Sequence, residues 1–357
     1  MEFRDKVEIC ISNNASTDNT KEVVTKFKEK YPDLIKYYES EENFGYDNNL
    51  LKVVSMAEGK FAWTFSDYSF IVDGGLKEVI NFIESIEDRN VGLVGVRQEV
   101  YMFDEKNNKK LVLTSLDETK PHTIKLNAKD TIEKASLRGI THVILNTKSI
   151  KKIYKENYSL VKMGVGALYM HSWLYYIMFI LNKNLKCYIL NKVIVSTPFT
   201  PYKKIIEDHF ILVCDGDIRF YGMLESICRE RGEYDFANFF GKIIKDAKRN
   251  FLREMVEFKI VDQFEYDSYF GCPQLFSHCL KFVDASLFSI SFLIISLTPR
   301  SFIRMMAKIY LKIKYGKKAA SKWDDIIKPS PIKQKGKIRR PYSSKGWRGE
   351  DKLHYKF

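Results

Sequence analysis

Paired cysteines, a leader pattern and a membrane-length apolar run are all missing from this sequence. Its six cysteines (Cys10, Cys187, Cys214, Cys228, Cys272 and Cys279) are scattered, and none forms a CxxC pair. That argues against zinc and leaves buried, reduced thiols in a reducing compartment as the expectation. Met1–Lys6 is polar and leads directly into an apolar strand, which is not the pattern of a secretory leader. Ala285–Leu297 is free of charge but has only 13 residues, short of the ~20 that a membrane span needs. No internal repeat is found. Acidic residues are absent from 299–323.

What is present is a core-forming composition. The chain has 357 residues, 45% of them hydrophobic and 14% aromatic, enough for one large domain or two small ones. The net charge of +13 is unevenly placed, since residues 299–357 hold 18 Lys/Arg against 4 Asp/Glu. The body is therefore close to neutral. A nucleic-acid-binding globule carries its basic face on the folded body, so nucleic acid is not the expected partner.

The N-terminal hundred residues alternate strand and helix patterns. Val7–Ser12 reads as a buried strand, and Asn13–Asn19 as a turn-rich loop. A helix follows, with Asn19 and Glu22 at capping-box spacing and Val23, Val24, Phe27 and Tyr31 as its apolar face. Ile35–Tyr38 is a second strand, Asn48–Ala57 a helix, Phe61–Phe65 a third strand, Gly74–Ile86 a helix and Val91–Val96 a fourth strand. This alternation predicts an α/β fold with a mostly parallel sheet. Beyond Arg97, a hairpin of Glu99–Phe103 with Lys110–Thr114 is expected. Helices are expected at Asp130–Leu137, Ser149–Tyr158 and Gly166–Leu181, and a strand at Lys186–Leu190. From the Cys214–Asp217 turn to about Glu257 the chain reads as helix-rich. In Ser301–Tyr315, Arg304, Lys308 and Lys312 recur every four residues among Phe302, Ile303, Met306, Ile309, Tyr310 and Ile313. That pattern suits an amphipathic helix lying in an anionic membrane interface. The tail from Pro329 has a disordered composition.

Three blocks carry a resemblance. Ser12-Asn13-Asn14-Ala15-Ser16-Thr17-Asp18-Asn19-Thr20 ends the first strand. Asn43-Phe44-Gly45 precedes a helix with Asn48-Asn49. Ala57-Glu58-Gly59 leads into Phe61-Ala62-Trp63-Thr64-Phe65-Ser66-Asp67, and Asp73-Gly74-Gly75-Leu76 follows. In order and spacing these resemble the N-terminal half of the inverting family 2 glycosyltransferases, well over residues 7–96 and more weakly to about 200. The resemblance implies a GT-A fold over residues 1–200, leaving 201–284 as a helix-rich extension, 285–318 as an apolar segment with a basic helix and 319–357 as a basic tail. It implies transfer of a sugar from a nucleotide-diphosphate donor to a glycan or lipid-linked acceptor. Asn13, Asn14, Ser16, Asp18, Asn43 and Asp67 would line the donor nucleotide. Asp67 and Ser69 would hold Mg²⁺ or Mn²⁺ bridging the diphosphate. Both loops follow strands, where open α/β sheets bind ligands. The basic C-terminal segment would keep the protein peripheral on the cytoplasmic face of the membrane.

Departures from the family pattern set a rival expectation. The chain starts just before what the resemblance makes strand two, so a strand and helix of about 35 residues are expected to be lacking. Asn13 replaces an acid, and Ser66-Asp67-Tyr68-Ser69 keeps one carboxylate where the family has an acidic cluster. No acidic general base stands out in the middle region. A truncated or inactive relative acting as a partner subunit is the first alternative, and a non-enzymatic basic adaptor the second. His171, in Gly164–Trp173, is an acceptor-side candidate or a satisfied core histidine. His142 is a lesser candidate. Asp215 and Asp217 read as a solvated turn, and Trp173–Phe179 as core.

Overall fold

The structure, a computed structural model, describes residues 3–103, 109–135, 137, 139–167, 169–198, 217–260, 294–295 and 298–315. The chain forms two compact units. The first holds residues 3–198 and 223–239 of those described, and the second holds 217–222, 240–260, 294–295 and 298–315. Cys214, Asp215, Cys272, Cys279, most of the Ala285–Leu297 run and the tail from Pro329 lie outside the described residues. No described helix is long and apolar enough to cross a membrane.

The first unit is α/β with two sheets. β1 (Ile9–Asn13) and β2 (Ile35–Glu39) pair in parallel, with Asn13 opposite Glu39. The helix between them, α1 (Thr20–Lys30), rests Val24 on Leu34 and Ile35, with Tyr31 partly buried beside them. Val23 and Phe27, expected on the same buried face, are exposed. The expected capping box is not formed: Asn19 makes no side-chain cap bond, and the Asp18 carboxylate accepts from the Thr20 N–H (3.0 Å) and hydroxyl instead. α2 (Tyr46–Met56) then leads to β3 (Phe61–Trp63).

The larger sheet is mixed. Its order is β3, β8 (Val143–Asn146), β5 (Val91–Phe103), β9 (Lys186–Pro198), β4 (Phe70–Ile71), with β6 (Lys109–Thr114) on β5 and β7 (Thr123–Leu126) on β9. Only β5 and β9 run parallel in it; the other pairings are antiparallel. β5 joins the expected fourth strand and the expected hairpin strand into one. Val91–Val96 is buried throughout and packs with Val79, Ile144, Leu190, Ile194 and Val195. Beyond a register shift at Val96–Gln98 the same strand turns polar and opens to solvent. α3 (Gly75–Ser85) covers this core through Val79. α4 (Ala128–Lys134) and α5 (Thr147–Glu156) begin at Asn127 and Asn146, whose side chains accept the Asp130 and Ser149 N–H groups, the usual asparagine N-cap.

After α6 (Tyr158–Met163), α7 (Met170–Leu181) is apolar on every side and buried from Met170 to Ile180. It passes so close to Gly164 that a Cβ there would lie 2.4 Å from the Trp173 ring. Trp173 is fully buried and donates Nε1–H to the Leu160 carbonyl at 2.8 Å, so it has no room to yield. The second unit contributes the start of α8 (Phe220–Glu230), most of α9 (Tyr234–Ile260) and α10 (Arg300–Tyr315). Cys10, Cys187 and Cys228 are free thiols, and burial pushes them up to about 11, 12 and 12, so they stay protonated and inert.

His142 closes a 3₁₀ turn (Ile140–His142) ahead of β8. Its ring packs on Gly139, and its buried Nε2 has no hydrogen-bond partner among the described residues. Burial first, then Arg97, pushes its pKa from 6.5 down to about 4, so the ring is neutral in the fold. The stability this gives is present above pH 6.5 and is lost as pH falls toward 4. Over that window the wild type should lose on the order of 2–3 kcal/mol more than His142→Phe. Urea unfolding at a series of pH values reads this; equal slopes would remove His142 as the cause. Gly164→Ala should cost about 1–3 kcal/mol in the same assay at neutral pH, from overpacking against Trp173.

Candidate active site: the loops beyond β1, β2 and β3

Parallel pairing of β1 with β2 sends the chain out at one edge twice, once at Asn13 and once at Ser40. The two loops are stitched together there. The Ser40 N–H and hydroxyl both donate to the Asn13 carbonyl, at 2.9 and 3.1 Å. Asn14 Nδ2 donates to Asn43 Oδ1 at 2.8 Å, and Asn14 Oδ1 accepts the Phe44 N–H at 3.0 Å. Asn43 Oδ1 also accepts the Gly45 N–H at 2.8 Å, which shapes the turn into α2. Gly45 is at φ 82, a left-handed backbone that glycine adopts without a Cβ clash. Asn49 closes the back of the site, taking the Ser12 hydroxyl at 2.7 Å and donating to the Ser12 carbonyl at 3.2 Å.

The six expected donor residues divide by accessibility. Asn13 is only 3% exposed: its amide donates to the Tyr37 hydroxyl at 3.0 Å and accepts the Ser16 N–H at 2.9 Å. It shapes the loop from within. Ser16 and Asp18 are exposed, and the hydrogen bonds from Thr20 lower the Asp18 pKa. Asn14 and Asn43 are partly committed to each other. Asp67 is exposed on the loop after β3.

The Asp67 loop is fixed by neutral groups. The Ser66 and Ser69 hydroxyls bond at 2.6 Å, Ser69 meets the Thr197 hydroxyl at 2.9 Å, and Gln98 Nε2 donates to Thr197 Oγ1 at 2.7 Å. Thr141 donates to Gln98 Oε1 at 2.9 Å, which ends the chain of five side chains on the 3₁₀ turn. The same turn takes the Trp63 indole N–H on the Thr141 carbonyl (2.9 Å) and the Thr64 hydroxyl on the Ile140 carbonyl. Among the described residues, no three His, Cys, Asp or Glu side chains come together as a metal cluster. The ligands on this loop are oxygen only, with one carboxylate. That set fits a hard divalent cation if phosphate and water fill most of its shell.

Tyr46 joins the blocks. Its ring is exposed while its hydroxyl turns inward onto Nδ1 of buried His171, at 3.1 Å. Burial first, and then the nearby Asp47, Tyr68 and Tyr169, hold its phenol well above its ordinary value. One residue on, buried Asp47 accepts the Gly166 N–H at 2.7 Å. The sequence reading named His171 but missed both α2 partners and the Ser69–Thr197–Gln98–Thr141 chain. Tyr46 directly follows the Asn43–Gly45 turn, which is the signal that could have marked it.

Residues 2–145 match the family model described as Glycosyl transferase family 2. The abequosyltransferase RfbV of Salmonella typhimurium is 35% identical over 86 residues, 24% of this chain and 26% of that protein. The chain thus matches about a quarter of the length of that curated relative. Among solved structures, S. aureus TarS 1–349 in complex with UDP superposes with a TM-score of 0.42 at 15% identity, covering 87% of this chain and 84% of that one. The mannosyltransferase PcManGT from Pyrobaculum calidifontis, in complex with GDP-Man and Mn²⁺, gives 0.39 at 12% identity, covering 87% and 79%. The family match spans residues 2–145, the α/β part of the chain that carries these loops, and there the chain is similar to glycosyl transferase family 2.

Proposed function

We propose that this chain moves a sugar from a nucleotide-diphosphate donor to a hydroxyl of a glycan or lipid-linked acceptor, with inversion at the anomeric carbon. The supporting observation is the convergence on Tyr46. Its turn is bonded to the Asn14 loop, its hydroxyl meets His171, and its phenol feels Tyr68 beside Asp67. In this reading Asn14, Ser16 and Asp18 contact the nucleoside, and the Asn14–Asn43 clamp keeps that pocket open in advance of binding. Asp67, helped by the Ser66 and Ser69 hydroxyls, would hold Mg²⁺ or Mn²⁺ against the diphosphate. Such an ion supplies neutralisation of the leaving group. Tyr46 and His171 line the acceptor side, where His171 is too buried to meet an acceptor directly and acts by positioning Tyr46.

The single carboxylate has a consequence. It holds an ion weakly by itself, so ion and nucleotide should bind together. Calorimetry with UDP, GDP and dTDP should find saturable binding to one of them, strengthened at least about tenfold by Mn²⁺. Mn²⁺ without nucleotide should show no tight site. Asp67→Asn, an exposed change that spares the fold, should remove the Mn²⁺ enhancement. Asn14→Ala should weaken the nucleotide about five- to tenfold by releasing the Asn43 clamp.

One observation favours a second reading, an inactive partner subunit: the hydroxyl of Ser69, at the expected metal position, is already bonded to Ser66 and Thr197. A folded protein that binds none of the nucleotides, with or without Mn²⁺, would replace the first reading by this one.

A further inference from the structure

We propose that α10 is a docking surface for an anionic lipid bilayer, lying in the plane of the interface with one apolar stripe inserted. Phe302, Met305, Ile309 and Ile313 follow at steps of three and four, as do Phe302, Met306, Tyr310 and Ile313, so the six share one side of the helix. All six are between 43% and 80% exposed. The partly buried positions are Ile303, Arg304 and Ala307, which sit away from the stripe's centre. The helix therefore turns its apolar side toward solvent. The sequence pattern placed Ile303 on the apolar face; the structure puts Met305 there instead and leaves Ile303 partly covered.

A contiguous apolar stripe of this size on a surface marks an interaction site. Charge selects the partner. Arg300, Arg304, Lys308, Lys312 and Lys314 lie within the same 16-residue helix, no acid occurs from 299 to 323, and the Lys308 and Lys312 side chains are exposed. An apolar side with basic residues beside it matches an acyl layer beneath anionic headgroups. A protein groove would be expected to place acids against those lysines, and a second copy of the helix would set lysine near lysine. At 16 residues the helix is about 24 Å long, too short to span but suited to lying flat.

The test uses the full chain and two kinds of vesicle, phosphatidylethanolamine with phosphatidylglycerol, and phosphatidylcholine alone. Flotation should recover the protein with the anionic vesicles and at least about tenfold less with the neutral ones. The double variant Ile309→Asp/Ile313→Asp should lose at least about tenfold in recovery on anionic vesicles, with unchanged circular dichroism and melting. As a control for general stickiness, Leu111→Asp/Leu113→Asp alters exposed residues of the β5–β6 hairpin and should bind as wild type does. Equal recovery of the α10 variant overturns the proposal, as does equal loss in the hairpin variant. It is also overturned if the wild type floats with neither vesicle, or if sedimentation without lipid shows a dimer that the α10 variant abolishes. Nucleotide binding is read separately, so failure here leaves the donor-site reading untouched.

Discussion

The parallel pairing of β5 with β9 is the constraint on which the rest of the first unit depends. Each strand runs for 13 residues, far past the ends of their neighbours. The Val91–Val96 half of β5 is apolar and buried, and with Leu190, Ile194 and Val195 of β9 it supplies the core under α3. Beyond it β5 carries Arg97, Gln98 and Glu99, which bond Asn191, Thr197 and Ser196 of β9. The register shift at Val96–Gln98 marks the change from one regime to the other. Such bulges turn a strand and re-aim its side chains. Here the outcome is that Gln98 and Thr197 reach the Asp67 loop, so the geometry of that loop is inherited from the longest pairing in the sheet.

Neutral groups hold that loop, and this matters energetically. Two carboxylates side by side repel, and each loses hydration when partly covered; both costs fall only when a cation is present. With Ser66 and Ser69 flanking Asp67 on this loop, no such repulsion arises. A chain of hydroxyl and amide hydrogen bonds keeps the loop ordered without an ion. Asn13 follows the same logic. A carboxylate at 3% exposure would be costly to desolvate, whereas the amide satisfies both Ser16 and Tyr37. Both loops are organised by hydrogen bonds between neutral groups.

The α/β class, the loops beyond β1 and β3, and the β5–β6 hairpin were legible because each rests on local signals: apolar runs, turn residues, spacing. β4, β7 and β8 were not. They have two, four and four residues, and they exist because distant strands offer them hydrogen-bond partners, which no local periodicity records. The start of α1 was legible, with Asn19 at the N-cap, but its capping bond was not. Asn19 has the right position and residue type, yet Asp18 reaches Thr20 first. For the site, the resemblance pointed to Asn13, Asn14, Ser16, Asp18, Asn43 and Asp67. The Tyr46–His171 bond joins residues 125 apart and needs the fold to be seen.

α7 and α10 show why composition alone does not say what an apolar helix does. α7 has no charged residue in 12, and every side finds a neighbour, so burying it completes the core. α10 has five basic residues in 16, which no core of this size could take in without partners for each charge. Those charges keep the helix at a surface whatever its apolar residues prefer. The remaining freedom is its rotation about its own axis, and that rotation leaves the Phe302–Ile313 stripe outward. A helix held at the surface by its lysines and turned apolar side out reaches a lower free energy only where apolar material meets negative charge. A bilayer with anionic headgroups offers both at the same depth.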